Sequence, residues 1–226
     1  MGDVTDQTRR SCISLYGTAE LTLTAWVSTV LAVRFMVSKY FIDVSHWNAA
    51  ILNIHSSRPM RHWLLITMAT LFLAGMILPQ SPIIPVMGAS RSDWNPISFW
   101  HYPWGASGVH KGIDIFSPES TPVVAATSGL VIYVGQWRRG GNVILSLGPR
   151  WCIHYYAHLR SGDVSMGSWI WRGQKIGQVG NTGNAVNTPS HLHYSILTLV
   201  PYPWRLDRSE SGWMKIFFLD PNILLP

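Results

Sequence analysis

The sequence has few charged residues. Asp, Glu, Lys and Arg make up 12% of the 226 residues, whereas hydrophobic residues make up 47%. Soluble domains usually carry about 25% charged residues, so this balance excludes a disordered chain and a long acidic tail. Cysteine is equally scarce, because Cys12 and Cys152 are the only two. That number excludes a disulfide framework and a CxxC metal site.

Clusters of basic residues are also lacking. The chain has 17 Lys and Arg against 11 Asp and Glu, for a net charge of +6, but Arg9-Arg10 and Arg138-Arg139 are its only adjacent basic pairs. Proteins that bind nucleic acid usually concentrate Lys and Arg in one patch or run. The sequence therefore argues against a nucleic-acid partner and leaves an anionic polymer or an anionic lipid as the charge-based options.

One long apolar segment stands out. Trp63–Leu78 contains no charged residue and is slightly shorter than the ~20 residues that span a bilayer as a helix. Arg58 and Arg61 precede it, and the next basic residue is Arg91. Because basic residues stay on the cytoplasmic side, we expect the chain after this segment to be exported. The alternative is a helix buried in the core of a soluble domain.

This apolar segment divides the N-terminal part of the chain into residues 1–59 and residues 60–87. We expect an uncleaved membrane anchor or a signal-like segment over residues 60–87, and translation that truly begins at Met60 is an open alternative. Residues 1–59 have no assigned role. Within them, residues 21–33 are apolar and predict either a marginal membrane helix or a helix at the membrane surface.

The remainder of the chain, residues 88–226 with a core at about 100–224, has the pattern of a mainly β domain. Short apolar runs alternate with Gly, Ser and Asn, which is typical of an antiparallel sandwich or barrel-like sheet. No stretch with a helical period occurs there. The predicted strands are Gly112–Phe116, Pro122–Ala126, Gly129–Gly135, Asn142–Leu147, Cys152–Leu159, Ser168–Trp171, Gln174–Val179 and Leu192–Thr198.

Two motifs in this domain carry candidate metal ligands. His110 and Asp114 form an HxxxD motif, and His191-Leu192-His193 lies in a predicted strand. Because alternate residues of a strand face the same way, both imidazoles should point to one side while Leu192 enters the core. Two histidines and one carboxylate suit Zn²⁺, and three protein ligands leave a fourth position open for water, the pattern of a catalytic site.

A third motif adds a further histidine. Tyr156-Ala157-His158 lies near the end of a predicted strand, and alternation places Tyr156 and His158 on one face. His154 shares that face, and for it we prefer a structural role over a position at the site. Histidines that do not bind the metal can move protons to and from a zinc-activated water.

Taken together, these motifs resemble the lysostaphin-type zinc metallopeptidases, peptidoglycan endopeptidases with a duplicated hybrid motif fold. The resemblance covers residues 100–224, a little over half the chain. It rests on His110–Asp114, Tyr156–Leu159, His191–His193, Gly173–Gly177, Gly180–Asn184 and Leu219–Pro221.

The resemblance implies roles for five residues. It implies zinc ligation by His110, Asp114 and His193, and a catalytic pair formed by His158 and His191. It further implies a compact, mostly antiparallel β domain with the site in a groove.

The implied function is hydrolysis of the peptide cross-links of peptidoglycan by a zinc-activated water, in a membrane-anchored protein whose catalytic domain lies outside the cytoplasm. The partners are then peptidoglycan stem peptides and the membrane. The alternative is a non-hydrolytic relative that binds peptidoglycan and activates another wall hydrolase. Three questions stay open: which cross-link is cut, the oligomeric state, and whether residues 80–109 cover the groove.

Overall fold

The computed structural model describes residues 58–226. The prediction for residues 21–33 lies outside the described residues, as does almost all of the segment 1–59 to which no role was assigned. Within the described part, residues 68–226 form one compact unit.

Helix α1 spans Arg58–Ile77. It ends one residue before Leu78, which precedes Pro79, because a residue before proline is disfavoured in the α conformation. Its side chains from Met60 onward are largely exposed, Trp63 by 69%, so the alternative of a buried core helix is wrong. By length and composition, α1 is a helix that can cross a membrane.

The β domain is a nine-stranded antiparallel sheet, as the sequence predicted. Each of the eight predicted runs overlaps a strand, and the short β9 was missed. The strands are β1 Ile113–Phe116, β2 Pro122–Val124, β3 Gly129–Trp137, β4 Gly141–Leu147, β5 Cys152–Gly162, β6 Trp169–Ile170, β7 Lys175–Val179, β8 His191–Thr198 and β9 Phe218–Leu219.

Strands β5 and β8 lie at the centre of the sheet. The main path runs β1-β8-β5-β4-β3-β6, while β2 and β7 form a second branch that joins β5, and β9 pairs with β8. This order brings β1, β5 and β8 side by side, although β1 and β8 are far apart in sequence. Asp114, His158 and the HLH motif lie on these three strands and His110 lies just before β1, so the topology brings the candidate motifs together.

The hydrophobic core is formed by the side chains of these strands that point inward. Tyr156 and Tyr194, on β5 and β8, are fully buried and their rings lie 5.4 Å apart. The chain before the sheet contributes as well: Val86 is buried and forms a β-bridge with Val123, and the N–H of Ile83 donates to the carbonyl of Ala126. The segment just after α1 thus packs as part of the β domain.

The connections are short turns. One brief helix, α2 at Pro221–Leu224, departs from the expectation of no helix after Arg91; Asp220 caps it by accepting from the N–H of Asn222. The 3₁₀ turns are Arg91–Asp93, Pro96–Ser98, Gly105–Ser107, Pro149–Trp151, Gly183–Ala185, Pro203–Arg205 and Gly212–Ile216.

Candidate metal centre and groove

The HxxxD and HLH motifs meet across the β1–β8 pair. Asp114 is the direct partner of His193 in the antiparallel register. Asp114 Oδ1 lies 2.8 Å from His193 Nδ1 and 3.1 Å from His110 Nε2, and the two imidazole nitrogens lie 3.1 Å apart. The structure thus gathers one donor atom from each of the three residues predicted as zinc ligands into a group that can hold a metal ion.

Gly112 makes this approach of the two strands possible. A Cβ atom at this position would lie 2.4 Å from the carbonyl oxygen of Tyr194 and 2.5 Å from Ser195 Oγ, which is too close for any side chain. The glycine between His110 and Asp114 is therefore required for β1 to lie against β8.

The donor set fits a cation. His110 Nδ1 lies 3.0 Å from the carbonyl oxygen of Ser98, and since a carbonyl only accepts, Nδ1 is the donor there. In the neutral imidazole Nε2 then presents a lone pair to the carboxylate of Asp114. Two such acceptors at 3.1 Å repel each other unless a cation lies between them, and one imidazole tautomer fixed by a carbonyl is typical of metal-binding histidine.

The protonation of this group also suits a metal. Burial by itself raises the pKa of Asp114, but the adjacent imidazoles of His110 and His193 outweigh burial and hold the pKa well below its ordinary value. Burial lowers the pKa of His193. Carboxylate and neutral imidazole are the forms that ligate metals.

The two histidines predicted as catalytic lie beside this group. Their rings are 5.0 Å apart, and His191 Nε2 is 4.0 Å from Asp114 Oδ1. His191 Nδ1 donates to the carbonyl of Pro189 at 2.7 Å, and His158 Nδ1 donates to the carbonyl of Thr182 at 2.8 Å. In the neutral form each therefore presents the lone pair of Nε2, which is the atom available to accept a proton.

His158 reaches the site through a β-bulge. On β4 and β5, Asn142 pairs with Leu159 and Ile144 pairs with Tyr156, so β5 has one extra residue between these two pairs. His158 lies in this bulge with φ 61°, a conformation uncommon for residues other than glycine. The bulge turns His158 into the groove, where Tyr155 also lies, while Tyr156 is fully buried. The prediction that Tyr156 and His158 share a face is therefore wrong.

The environment keeps His158 neutral. Burial, with the nearby charges of His193 and His191, lowers the pKa of His158 to about 4. At neutral pH its Nε2 is thus unprotonated. A neutral imidazole held beside a metal group is able to act as a proton acceptor.

These residues line one groove of about 640 Å³. Trp104 forms part of its wall and stacks on the imidazole of His110, with ring centroids 4.1 Å apart and an interplanar angle of 18°. Sequence reasoning gave Trp104 no specific role. Within the segment 80–109, Trp104, Ser107 and Val109 line the groove.

Two basic residues of the groove were also missed. Lys111 and Arg139 line it, and Asp114 is the only acidic residue among its described lining. The pKa of Lys111 is lowered by burial and by the charge of Arg139, so the two cations are close enough to repel each other. The adjacent pair Arg138-Arg139 was visible in the sequence, but nothing there indicated that only one of the two faces the site.

His154 lies in the core. It is fully buried, is absent from the groove lining, and Nδ1 lies 2.7 Å from the hydroxyl of Tyr194. The preference for a structural role agrees with this position. Its Nε2 is buried without a hydrogen-bond partner among the described residues.

Comparison with known proteins places these residues in a family. Residues 108–201 match Peptidase family M23.

Several curated proteins are similar to this chain in sequence, among them the following three. The uncharacterized lipoprotein YgeR of Escherichia coli is 35% identical over 126 residues, covering 50% of this chain and 49% of YgeR. Lysostaphin of Staphylococcus staphylolyticus is 36% identical over 96 residues, which cover 41% of this chain and 20% of lysostaphin. The murein hydrolase activator NlpD of Salmonella dublin is 32% identical over 137 residues, which cover 56% of this chain and 36% of NlpD.

Solved structures are similar to this chain as well. The catalytic domain of lysostaphin from Staphylococcus simulans is 30% identical, with a TM-score of 0.45, and the match covers 56% of this chain and 86% of that domain. The chain spans about half or less of the curated relatives' lengths. The match at 108–201 includes all five predicted site residues, so this part of the chain is a domain of Peptidase family M23.

Proposed function

We propose that this chain is a zinc-dependent endopeptidase that hydrolyses peptide cross-links of bacterial peptidoglycan. The observation that carries the proposal is the meeting of His110, Asp114 and His193 within 4.8 Å, with His158 and His191 at the edge of the group. Three protein ligands are the number found in catalytic zinc sites, whereas structural sites usually have four. Similarity to lysostaphin supports the substrate class.

In this proposal His110, Asp114 and His193 hold the ion. A Zn²⁺ ion held there would polarise a carbonyl and would lower the pKa of a coordinated water to about 7. His158 would accept a proton from the water at Nε2 and pass it to the leaving amine, because its imidazole is neutral beforehand. His191, oriented by the carbonyl of Pro189, assists at its own Nε2.

We further propose that α1 anchors the protein in a membrane with the β domain outside the cytoplasm. Arg58 and Arg61 lie at the amino end of α1, which the positive-inside rule keeps in the cytoplasm. In this proposal the anchor is α1 alone, and the peptidase domain, predicted at 88–226, also takes in the end of the predicted 60–87 segment, because Ile83 and Val86 pack against the sheet. Peptidoglycan is the substrate expected on that side.

The packing after α1 favours an anchor over a cleaved signal peptide. Cleavage near Ala89 would remove Val86 from the core and break the hydrogen bond of Ile83 to Ala126. We expect the native protein to retain α1, which mass measurement of its N-terminus tests. A mature protein that begins at Ser90 would contradict the anchor.

The enzyme proposal is tested with isolated peptidoglycan and zinc analysis of the purified protein. We expect about one zinc per chain and release of new peptide amino ends. His110→Ala should lose both zinc and hydrolysis, whereas His191→Ala should keep most zinc and lose hydrolysis. His101→Ala, at an exposed histidine outside the metal group, is the matched control.

A non-hydrolytic activator gives a different result. NlpD, a relative over 56% of this chain, is a murein hydrolase activator. Full zinc occupancy without new peptide ends, together with stimulation of a second wall hydrolase, would support that role and contradict the endopeptidase.

A further inference from the structure

The groove carries positive charge that the catalytic chemistry does not use. Lys111 and Arg139 both line it, and among residues 58–226 its only acidic lining residue is Asp114, whose carboxylate already contacts two histidines. Among the described lining residues of the groove, two cations therefore stand against a single carboxylate.

Neither cation has an acidic partner among residues 58–226. Three other cations of this part of the chain, Arg160, Lys175 and Lys215, each contact a carboxylate. Lys111 instead donates only to the carbonyl of Ser107, at 3.0 Å. Two neighbouring like charges without a counter-charge are unfavourable in the free protein, and a bound anion would relieve the repulsion between them.

The backbone of both residues is joined to segments that carry the candidate site. Lys111 directly follows His110. Arg139 lies in the tight β3–β4 turn, whose backbone is fastened on two sides: the carbonyl of Arg139 accepts from the N–H of Asn184 at 2.9 Å, and the carbonyl of Gly140 accepts from the N–H of His158 at 2.7 Å. The turn that carries the guanidinium is thus hydrogen-bonded to the backbone of a proposed catalytic residue.

We infer that Lys111 and Arg139 form a subsite for a free carboxylate of the peptide substrate, next to the bond that is cut. The inference rests on the proposed function and narrows its substrate class. Guanidinium and ammonium groups bind carboxylates through charge-assisted hydrogen bonds. A glycine bridge offers no such group along its length, whereas a cross-link through a diamino dicarboxylic acid carries a free carboxylate beside the amide. The subsite therefore selects the anionic cross-link.

The test uses two synthetic cross-linked peptides that differ in one group. One carries the free carboxylate next to the scissile amide and the other carries its primary amide; a pentaglycine-bridged peptide is the third substrate. We compare kcat/KM of the full zinc-loaded chain with that of Lys111→Met and Arg139→Gln. Arg138→Gln is the matched control, because Arg138 lies in the same turn but does not line the groove.

We expect the wild type and Arg138→Gln to prefer the free carboxylate by tenfold or more, and each subsite variant to lose about tenfold on that peptide, mainly through KM, with little change on the amide. Calorimetry on the chelator-treated, metal-free chain should show the same preference in Kd without turnover.

The outcomes separate the two proposals. Equal hydrolysis of the carboxylate and amide peptides by the wild type, or equal losses on both in the variants, would overturn the subsite and leave the endopeptidase intact. Preference for the pentaglycine peptide would overturn it too. Hydrolysis of none of the three would refute the endopeptidase itself, and the subsite with it.

Discussion

Replacement of the buried His154 should change how the stability of the protein depends on pH. Burial lowers the pKa of His154 from 6.5 to about 4. Between these values the unfolded chain binds more protons than the folded one, so the free energy of unfolding falls as pH falls through this window. The shift corresponds to about 3 kcal/mol in full, of which about 2 kcal/mol is already lost at pH 5.

His154→Asn removes the titrating group and keeps a polar atom near the hydroxyl of Tyr194. Urea unfolding of the detergent-solubilised chain, followed by tryptophan fluorescence at pH 7 and pH 5, measures the effect. The wild type should lose about 2 kcal/mol more than the variant between the two pH values. Tyr194→Phe is the control, since it loses the hydrogen bond but keeps His154 buried, and it should retain the wild-type pH dependence. Equal losses in wild type and His154→Asn would refute the argument.

Three more substitutions test the fold and the site. Gly112→Ala places a Cβ atom 2.4 Å from the carbonyl of Tyr194, so we expect lower thermal stability and loss of bound zinc; unchanged zinc content would contradict the close-approach argument. Val86→Asp buries an unpaired charge and should destabilise the domain by about 3 kcal/mol or more in urea titration, whereas Val86→Ile should be nearly neutral. His158→Asn should fold normally because asparagine tolerates positive φ, yet lose hydrolysis; His158→Val should also lose stability, and equal stability of the two would show that the bulge carries no strain.

Most of the fold could be predicted from local patterns. The apolar runs between Gly, Ser and Asn located eight strands, and the alternation at His191-Leu192-His193 gave the correct faces, since both imidazoles line the groove and Leu192 is buried. The strand β9, at Phe218–Leu219, has only two residues. A run so short has no period to detect.

The arrangement around His158 could not be predicted from alternation. A β-bulge adds one residue to one strand and reverses the faces beyond it, and its signal here is a positive φ that the sequence Tyr155-Tyr156-Ala157-His158 does not reveal. The position of Arg139 depends on long-range backbone contacts with the 183–185 turn. The ligand set itself was visible only as separated motifs, because the contact of β1 with β8 joins residues far apart in the chain.

The short connection between α1 and the sheet limits where this protein can work. From Ile77, the last residue of α1, to Ile83, which is bonded to Ala126, a fully extended chain reaches at most about 20 Å. Arg172 further fastens this stretch by donating to the carbonyl of Ser81. In the proposed anchored arrangement this short tether would keep the β domain close to the lipid surface, so the peptidoglycan within its reach would be the part nearest the membrane.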